Sequence, residues 1–241
     1  MHRLATINLI QLDDEMRPIG YASGCIIRYR NALFVLTVAH ATGNAGNWAI
    51  EIDFDIQMQK SRLYQIGQMG FVSVVRLKGG KAKVRSIDFS YKLLTCEIYP
   101  RYQILSQQGT IDHDEPKHIL ESDLATQPNI GEEYGFWGCT RQNYNFFNLR
   151  VVPKLETAMQ FQEIRDNLLF FKTANPYKTF KDYQGCSGAP ILDSSGRLVS
   201  LVVEGDKKKT GILGLPLYSL RPILDVELQQ SQMTQSGADM N

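Results

Sequence analysis

The stretch Tyr183-Gln184-Gly185-Cys186-Ser187-Gly188-Ala189-Pro190-Ile191-Leu192 decides the reading of this chain. Small residues flank Ser187 on both sides, so the backbone can bend tightly there and leave the hydroxyl accessible. The same bend can aim successive N–H groups into one concavity, as an oxyanion hole requires. A serine hydroxyl is a weak nucleophile at neutral pH and needs an adjacent base. Upstream, Phe34-Val35-Leu36-Thr37-Val38-Ala39-His40 places an imidazole just after an apolar strand, and imidazole titrates near neutrality. Between the two, Ser86-Ile87-Asp88-Phe89-Ser90-Tyr91 carries a carboxylate at the entry of a strand, able to hold the histidine in one tautomer.

Taken singly, each piece has a plainer reading. A histidine after a strand is usually a hydrogen-bonded core residue. An aspartate such as Asp88 usually caps a strand or pairs with a neighbour such as Arg85. A Gly-rich turn is usually only a turn. Their joint occurrence in this order is what carries weight.

The motifs resemble those of chymotrypsin-fold serine peptidases. TVAH is similar to the TAAH around the family's histidine, DFSYKLL to its aspartate strand, and GCSGAP to its GDSGGP. Tyr21–Ile27 (YASGCII) resembles the GTGF-type strand before the histidine. Gly211–Leu217 (GILGLPL) resembles a strand near the C-terminus of Deg/HtrA-type members. The order His–Asp–Ser matches that family and contradicts the orders of α/β-hydrolases and subtilisins.

The resemblance implies an all-β fold of two six-stranded antiparallel barrels with a C-terminal helix. Residues 1–105 would form the first barrel, 106–124 a linker, 125–230 the second barrel with the helix, and 231–241 a frayed tail. It implies a serine endopeptidase in which Ser187, His40 and Asp88 are catalytic and the N–H groups of Gly185 and Ser187 form the oxyanion hole. Lys181, six residues before the serine, and Val202, Val203 and Glu204 would bind substrate, with Lys181 favouring an acidic side chain. The alternatives are a protease domain switched on by a partner within a larger assembly, and an inactive protease-like binding module.

Departures from the family pattern matter. Cys186 stands where zymogen-activated trypsins have an aspartate. No IVGG-like motif is seen in the sequence, so activation by N-terminal clipping is not expected, nor is a PDZ-like region after the protease unit. Cys186 is not expected to act as nucleophile, because cysteine peptidases of this fold carry the thiol at the serine's own position.

The strand pattern agrees with an all-β chain. Segments 5–12, 21–29, 33–38, 48–54 and 71–77 are rich in β-branched and aromatic residues and are separated by turn residues, including Gly43–Gly46 and Gly79-Gly80. Strands resume at 133–139, 146–153, 168–173, 189–192, 198–204 and 212–217. Ser219 then reads as the cap of a helix with Leu220, Ile223, Leu224 and Leu228 on one face. The stretch from 102 to 127 is polar and reads as an irregular connector. His113 and His118 within it read as solvated residues rather than metal ligands, and Lys207-Lys208-Lys209 as an exposed hairpin tip.

Composition excludes more than it identifies. The 241 residues carry a formal charge of +1. That balance argues against a protein that lives on phosphate backbones. No apolar run approaches the ~18 residues of a membrane helix. Cys25, Cys96, Cys139 and Cys186 are widely spaced, with no zinc or disulfide framework. The start of the chain does not read as a secretory signal. The expectation is a cytoplasmic protein with free thiols. It needs no cofactor and no metal, acts on a protein or peptide substrate and is open to an activating partner. Neither nucleic acid nor membrane is expected.

Overall fold

The computed structural model describes residues 1–43, 46–58, 60–78, 81–106, 110–145 and 148–238. The turn glycines 79–80, Asn44-Ala45, Phe146 and the last three residues, each part of an expectation above, lie outside them.

Among the described residues the first half holds seven strands: β1 (Ile7–Leu12), β2 (Pro18–Tyr29), β3 (Ala32–Thr37), β4 (Asn47–Asp55), β5 (Lys60–Gly67), β6 (Gly70–Lys78) and β7 (Lys81–Leu93). They hydrogen-bond in the order β5-β4-β1-β2-β3-β7-β6. Ile66 of β5 and Phe71 of β6, from the two ends of that path, pack into one cluster with Ile7, Leu9, Ile26, Val35, Trp48 and Ile50. The sheet therefore rolls around a shared core. Among the described residues, ladder bonds do not close it, whereas a closed six-stranded barrel was expected. The additional strand β5 has a charged and polar sequence, KSRLYQIG, in which the apolar signal is too weak to read as a strand.

The stretch read as an irregular connector is more ordered than its composition suggests. β8 (Arg101–Leu105) and β9 (Ile111–Pro116) form a separate hairpin, and β10 (Leu120–Glu121) pairs in parallel with β2. In β9 half-buried and exposed residues alternate, so polar side chains line a solvated face. His113 lies there, 3.2 Å from the Glu115 carboxylate and beside Arg3. Among the described residues no group of three His, Cys, Asp or Glu side chains could hold a metal ion.

The second half is a closed barrel of β11 (Glu133–Asn145), β12 (Asn148–Arg165), β13 (Leu168–Lys172), β14 (Pro190–Asp193), β15 (Leu198–Gly205) and β16 (Gly211–Pro216). Its interior is filled by Phe136, Phe171, Ile191, Val199 and Ile212. The three lysines 207–209 lie in the turn between β15 and β16, where Lys209 has φ +60°.

Among the described residues the α-helical segments are α1 (His2–Ala5), α2 (Ala39–Thr42) and α3 (Arg221–Ala238). Ser219 does not cap α3. It ends a short 3-10 turn and donates its hydroxyl to the Pro216 carbonyl, so the helix begins two residues later. The helix also continues to Ala238, into the stretch read as a frayed tail. Leu220 and Leu224 are buried, with Ile223 and Leu228 packed beside them. They join a cluster that includes Cys25, Phe34 and Phe89 from the first half and Leu192, Leu201 and Leu217 from the second. This shared core holds the two halves together and so fixes the cleft between them. Among the described residues no helix is long and apolar enough to cross a membrane.

Candidate active site

His40 and Asp88 meet because two neighbouring strands end at different heights. β3 pairs with β7 through Thr37 opposite Ser90 and Leu36 opposite Tyr91. β3 stops at Thr37, and the chain turns into α2, which lies over the part of β7 that continues past it. Asp88 therefore sits well inside a long strand rather than at its entry. Its Oδ1 accepts the backbone N–H of His40 at 2.8 Å, and its Oδ2 lies 2.7 Å from Nδ1 of the ring. Two bonds from one residue to one carboxylate fix both the turn and the imidazole.

This pairing sets the electrostatics. The hydrogen bond to Asp88 raises the His40 ring above its ordinary value of 6.5. Burial opposes the shift, while the charges of Asp88 and Glu204 add to it. Burial works to raise the Asp88 carboxyl, but the hydrogen bonds from the His40 ring and backbone outweigh it and hold the carboxyl below its ordinary value.

Ser187 arrives from the other half. A 3-10 turn, Phe180–Tyr183, is capped by Thr179 and Asp182, which bond each other's backbone and side chain. The chain then bends through Gly185 at φ +100° and Gly188 at φ +88° before entering β14. Gly188 admits no side chain, since a Cβ there would stand 2.1 Å from Thr37 Oγ1 and 2.2 Å from the Ser23 carbonyl. The N–H of Cys186 bonds to Tyr183 O at 3.0 Å, and that of Gly188 to Val202 O at 2.8 Å. Among the described backbone bonds, neither the Gly185 nor the Ser187 N–H is a donor.

The Ser187 hydroxyl lies 3.0 Å from His40 Nε2 and 3.0 Å from the Val203 carbonyl. With Nδ1–H held by Asp88, Nε2 is free to accept. A cavity of about 360 Å³ opens beside the hydroxyl. It is lined by His40 and Ser187 and by all four residues assigned from sequence to substrate, Lys181, Val202, Val203 and Glu204. Lys181 and Glu204 are both exposed, and among the described residues no ion pair joins them.

Cys186 is fully buried, and burial pushes its thiol well up. It points against β11, where a Cβ on Gly138 would stand 2.7 Å from its Sγ. A neutral thiol thus fills a tight space in which an aspartate would place a buried charge.

Sequence reading missed the residue that ties this loop to the first half. Ser23, in β2 and wholly buried, donates its hydroxyl to the Gly185 carbonyl at 2.8 Å. Its backbone N–H reaches the Ser187 carbonyl at 3.3 Å. Its own carbonyl accepts the Thr37 hydroxyl at 2.7 Å. The available signal was a polar residue inside a buried apolar strand, flanked by Ala22 and Gly24. Tyr183, Gln184 and Gly205 also line the cavity and were not singled out.

No protein-family model matches the chain, and no curated protein matches it. Solved structures do. The serine endoprotease of Yersinia pestis superposes with a TM-score of 0.53 at 16% identity, over 94% of this chain and 63% of that one. This chain thus spans less than two thirds of that protein's length. Neuropsin, a serine protease from mouse brain, gives 0.56 at 14% identity, covering 95% of this chain and 96% of that one. Human heparin binding protein gives 0.56 at 12% identity, over 95% and 94%. Likeness at this level of identity establishes architecture, and with the closed barrel, the rolled sheet and the C-terminal helix it gives this chain the fold of the chymotrypsin-like serine proteases.

Proposed function

We propose that the protein is a serine endopeptidase working through an acyl-enzyme. The single observation that carries this reading is the hydrogen-bonded line from Asp88 through His40 to Ser187, at 2.7 and 3.0 Å. Ser187 Oγ attacks the scissile carbonyl while His40 Nε2 takes its proton. Asp88 holds the ring and stabilises the imidazolium. The N–H groups of Gly185 and Ser187 receive the oxyanion, and His40 then protonates the leaving amine. Water repeats the sequence on the ester. Residues 1–105 and 125–230 act as one unit bridged by 106–124, because the base and the nucleophile come from different halves. Lys181 draws an acidic side chain into the cavity. Free thiols suit a cytoplasmic setting.

A fluorophosphonate probe tests the reading. It should label the isolated chain at Ser187, and Ser187→Ala should abolish labelling. A chain that stays unlabelled alone but reacts when a partner is added would place it among partner-activated domains. A chain never labelled, under conditions where trypsin is, would leave only a binding role.

A further inference from the structure

Two opposite charges line the cavity beside Ser187, Lys181 and Glu204. Among the described residues neither forms an ion pair or a side-chain hydrogen bond. Other carboxylates at this end of the barrel are engaged: Glu156 with Lys154 at 2.9 Å, Asp182 with the Thr179 hydroxyl at 3.0 Å, and Asp206 with Arg165 at 3.3 Å. A bulge holds Glu204 out. Alternation along β15 would put it on the face of Val202, which is 1% exposed and packs inside the second barrel. The ladder to β16 slips between the two: Val202 stands opposite Gly214 and Glu204 opposite Leu213, so Val203 is left over. Such a bulge re-aims a side chain, and Glu204 emerges exposed at the cavity. The carbonyl of the bulged Val203 is the one 3.0 Å from Ser187 Oγ. The Glu204 Cα lies three bonds beyond that oxygen, so within about 7 Å of the hydroxyl.

Lys181 comes from the capped 3-10 turn. Its carbonyl accepts the Gln184 N–H at 3.2 Å, and Asp182 beside it bonds back to Thr179, so the backbone is fixed while the side chain is exposed. A single exposed lysine or glutamate is ordinary. Two of opposite sign around one cavity, on fixed backbone and not paired with each other, suit a ligand that carries both charges. Glu204 has one other role open to it. Its charge helps to raise His40, and that role needs no contact with substrate.

We propose that the cavity takes a peptide segment of mixed charge, with an acidic side chain on Lys181 and a basic one on Glu204, which makes Glu204 a specificity residue. The proposal rests on the peptidase reading in taking this cavity as the seat of the substrate, and it adds the second charge. Neighbouring Cα atoms of an extended chain are about 3.8 Å apart. Glu204 therefore reaches side chains within two or three residues of the bond at Ser187. A segment with only acidic charges there would be repelled by Glu204, and one with only basic charges by Lys181.

The test measures binding apart from chemistry, on the full chain carrying Ser187→Ala. Fluorescein-labelled peptides of Ala and Gly carry one Asp and, one, two or three residues before it, either Lys or Glu. Anisotropy reads their affinities. In at least one spacing the Lys peptide should bind at least roughly fivefold tighter than its Glu counterpart, with the difference shrinking as salt rises. Adding Glu204→Lys should reverse that order. The two peptides are compared on one protein, so a change at His40 cancels in the ratio, and the first comparison needs no substitution at position 204. Equal affinities at all three spacings would overturn the proposal, as would no binding. An order unchanged by Glu204→Lys would also overturn it and leave Glu204 acting on His40 alone. Fluorophosphonate labelling of the parent chain judges the peptidase reading separately. Labelling without peptide preference would sink the proposal alone, and preference without labelling would leave the charge recognition standing and remove the chemistry.

Discussion

Ser187 Oγ lies 3.0 Å from His40 Nε2, and 147 residues of sequence separate the two. The hydroxyl also lies 3.0 Å from the Val203 carbonyl. One proton therefore has two acceptors, and the proposed mechanism uses only the bond to His40. Residues acting as such a unit lose their effect together. Ser187→Ala or His40→Ala should lower kcat by about 10⁴–10⁶, and the double variant should fall no further than the worse single one. Steady-state cleavage of a peptide substrate measures this, and additive losses would contradict a joint role.

The pH profile follows from the raised His40. The base works only when neutral, so kcat/KM should climb as pH rises through a midpoint above 6.5. Removing the largest cause, with Asp88→Asn, should move that midpoint down and cut the rate by about 10⁴. Glu204→Gln should move it down less, since Glu204 acts through charge alone. For stability the sign is opposite. A raised histidine stabilises the fold fully below its unfolded value, and that contribution is lost as pH rises through the folded value.

Ser23 should be a positioning residue. Ser23→Ala removes the hydroxyl that holds the Gly185 carbonyl, and so loosens the residue proposed as one of the two oxyanion donors. The expected result is a kcat about tenfold lower with KM nearly unchanged and a loss of stability of about 1 kcal/mol. A purely structural role would lower Tm and leave kcat per folded molecule alone.

Lys181 should set preference. Substrates with Asp or Glu before the scissile bond should be cleaved faster than those with Lys or Arg, and Lys181→Ala should flatten the difference. Equal rates in the parent chain would remove Lys181 from specificity.

A fourth kind of residue bears on stability alone. Asp193 is 2% exposed, and its carboxylate accepts from Ser195 N and Oγ, Arg197 N and Arg197 Nε. Burial works to raise this carboxyl, but those bonds hold it below its ordinary value. Asp193→Ala should cost about 2–4 kcal/mol and lower Tm by roughly 5–10 °C. In the parent chain this contribution is present above the ordinary carboxylate range and fades as pH falls through the depressed value.

The sequence alone determined the parts. Runs of β-branched and aromatic residues between turn residues marked most of the strands, because such side chains suit a packed, pleated surface. Three motifs pointed to His40, Asp88 and Ser187 through their joint order and their resemblance to a known family, not through any one local signature. Where apolar contrast was weak, as in β5, β8 and β9, strands stayed hidden, since their place is set by partners rather than by their own composition. Only the tertiary structure decided what those parts do together. It brought His40, Asp88 and Ser187 into one hydrogen-bonded line, tied the Ser187 loop to Ser23, and set a backbone carbonyl of Val203 against the hydroxyl. Such contacts depend on how two sheets pack around a shared core, and a distance of 3.0 Å across 147 residues leaves no local trace in the chain.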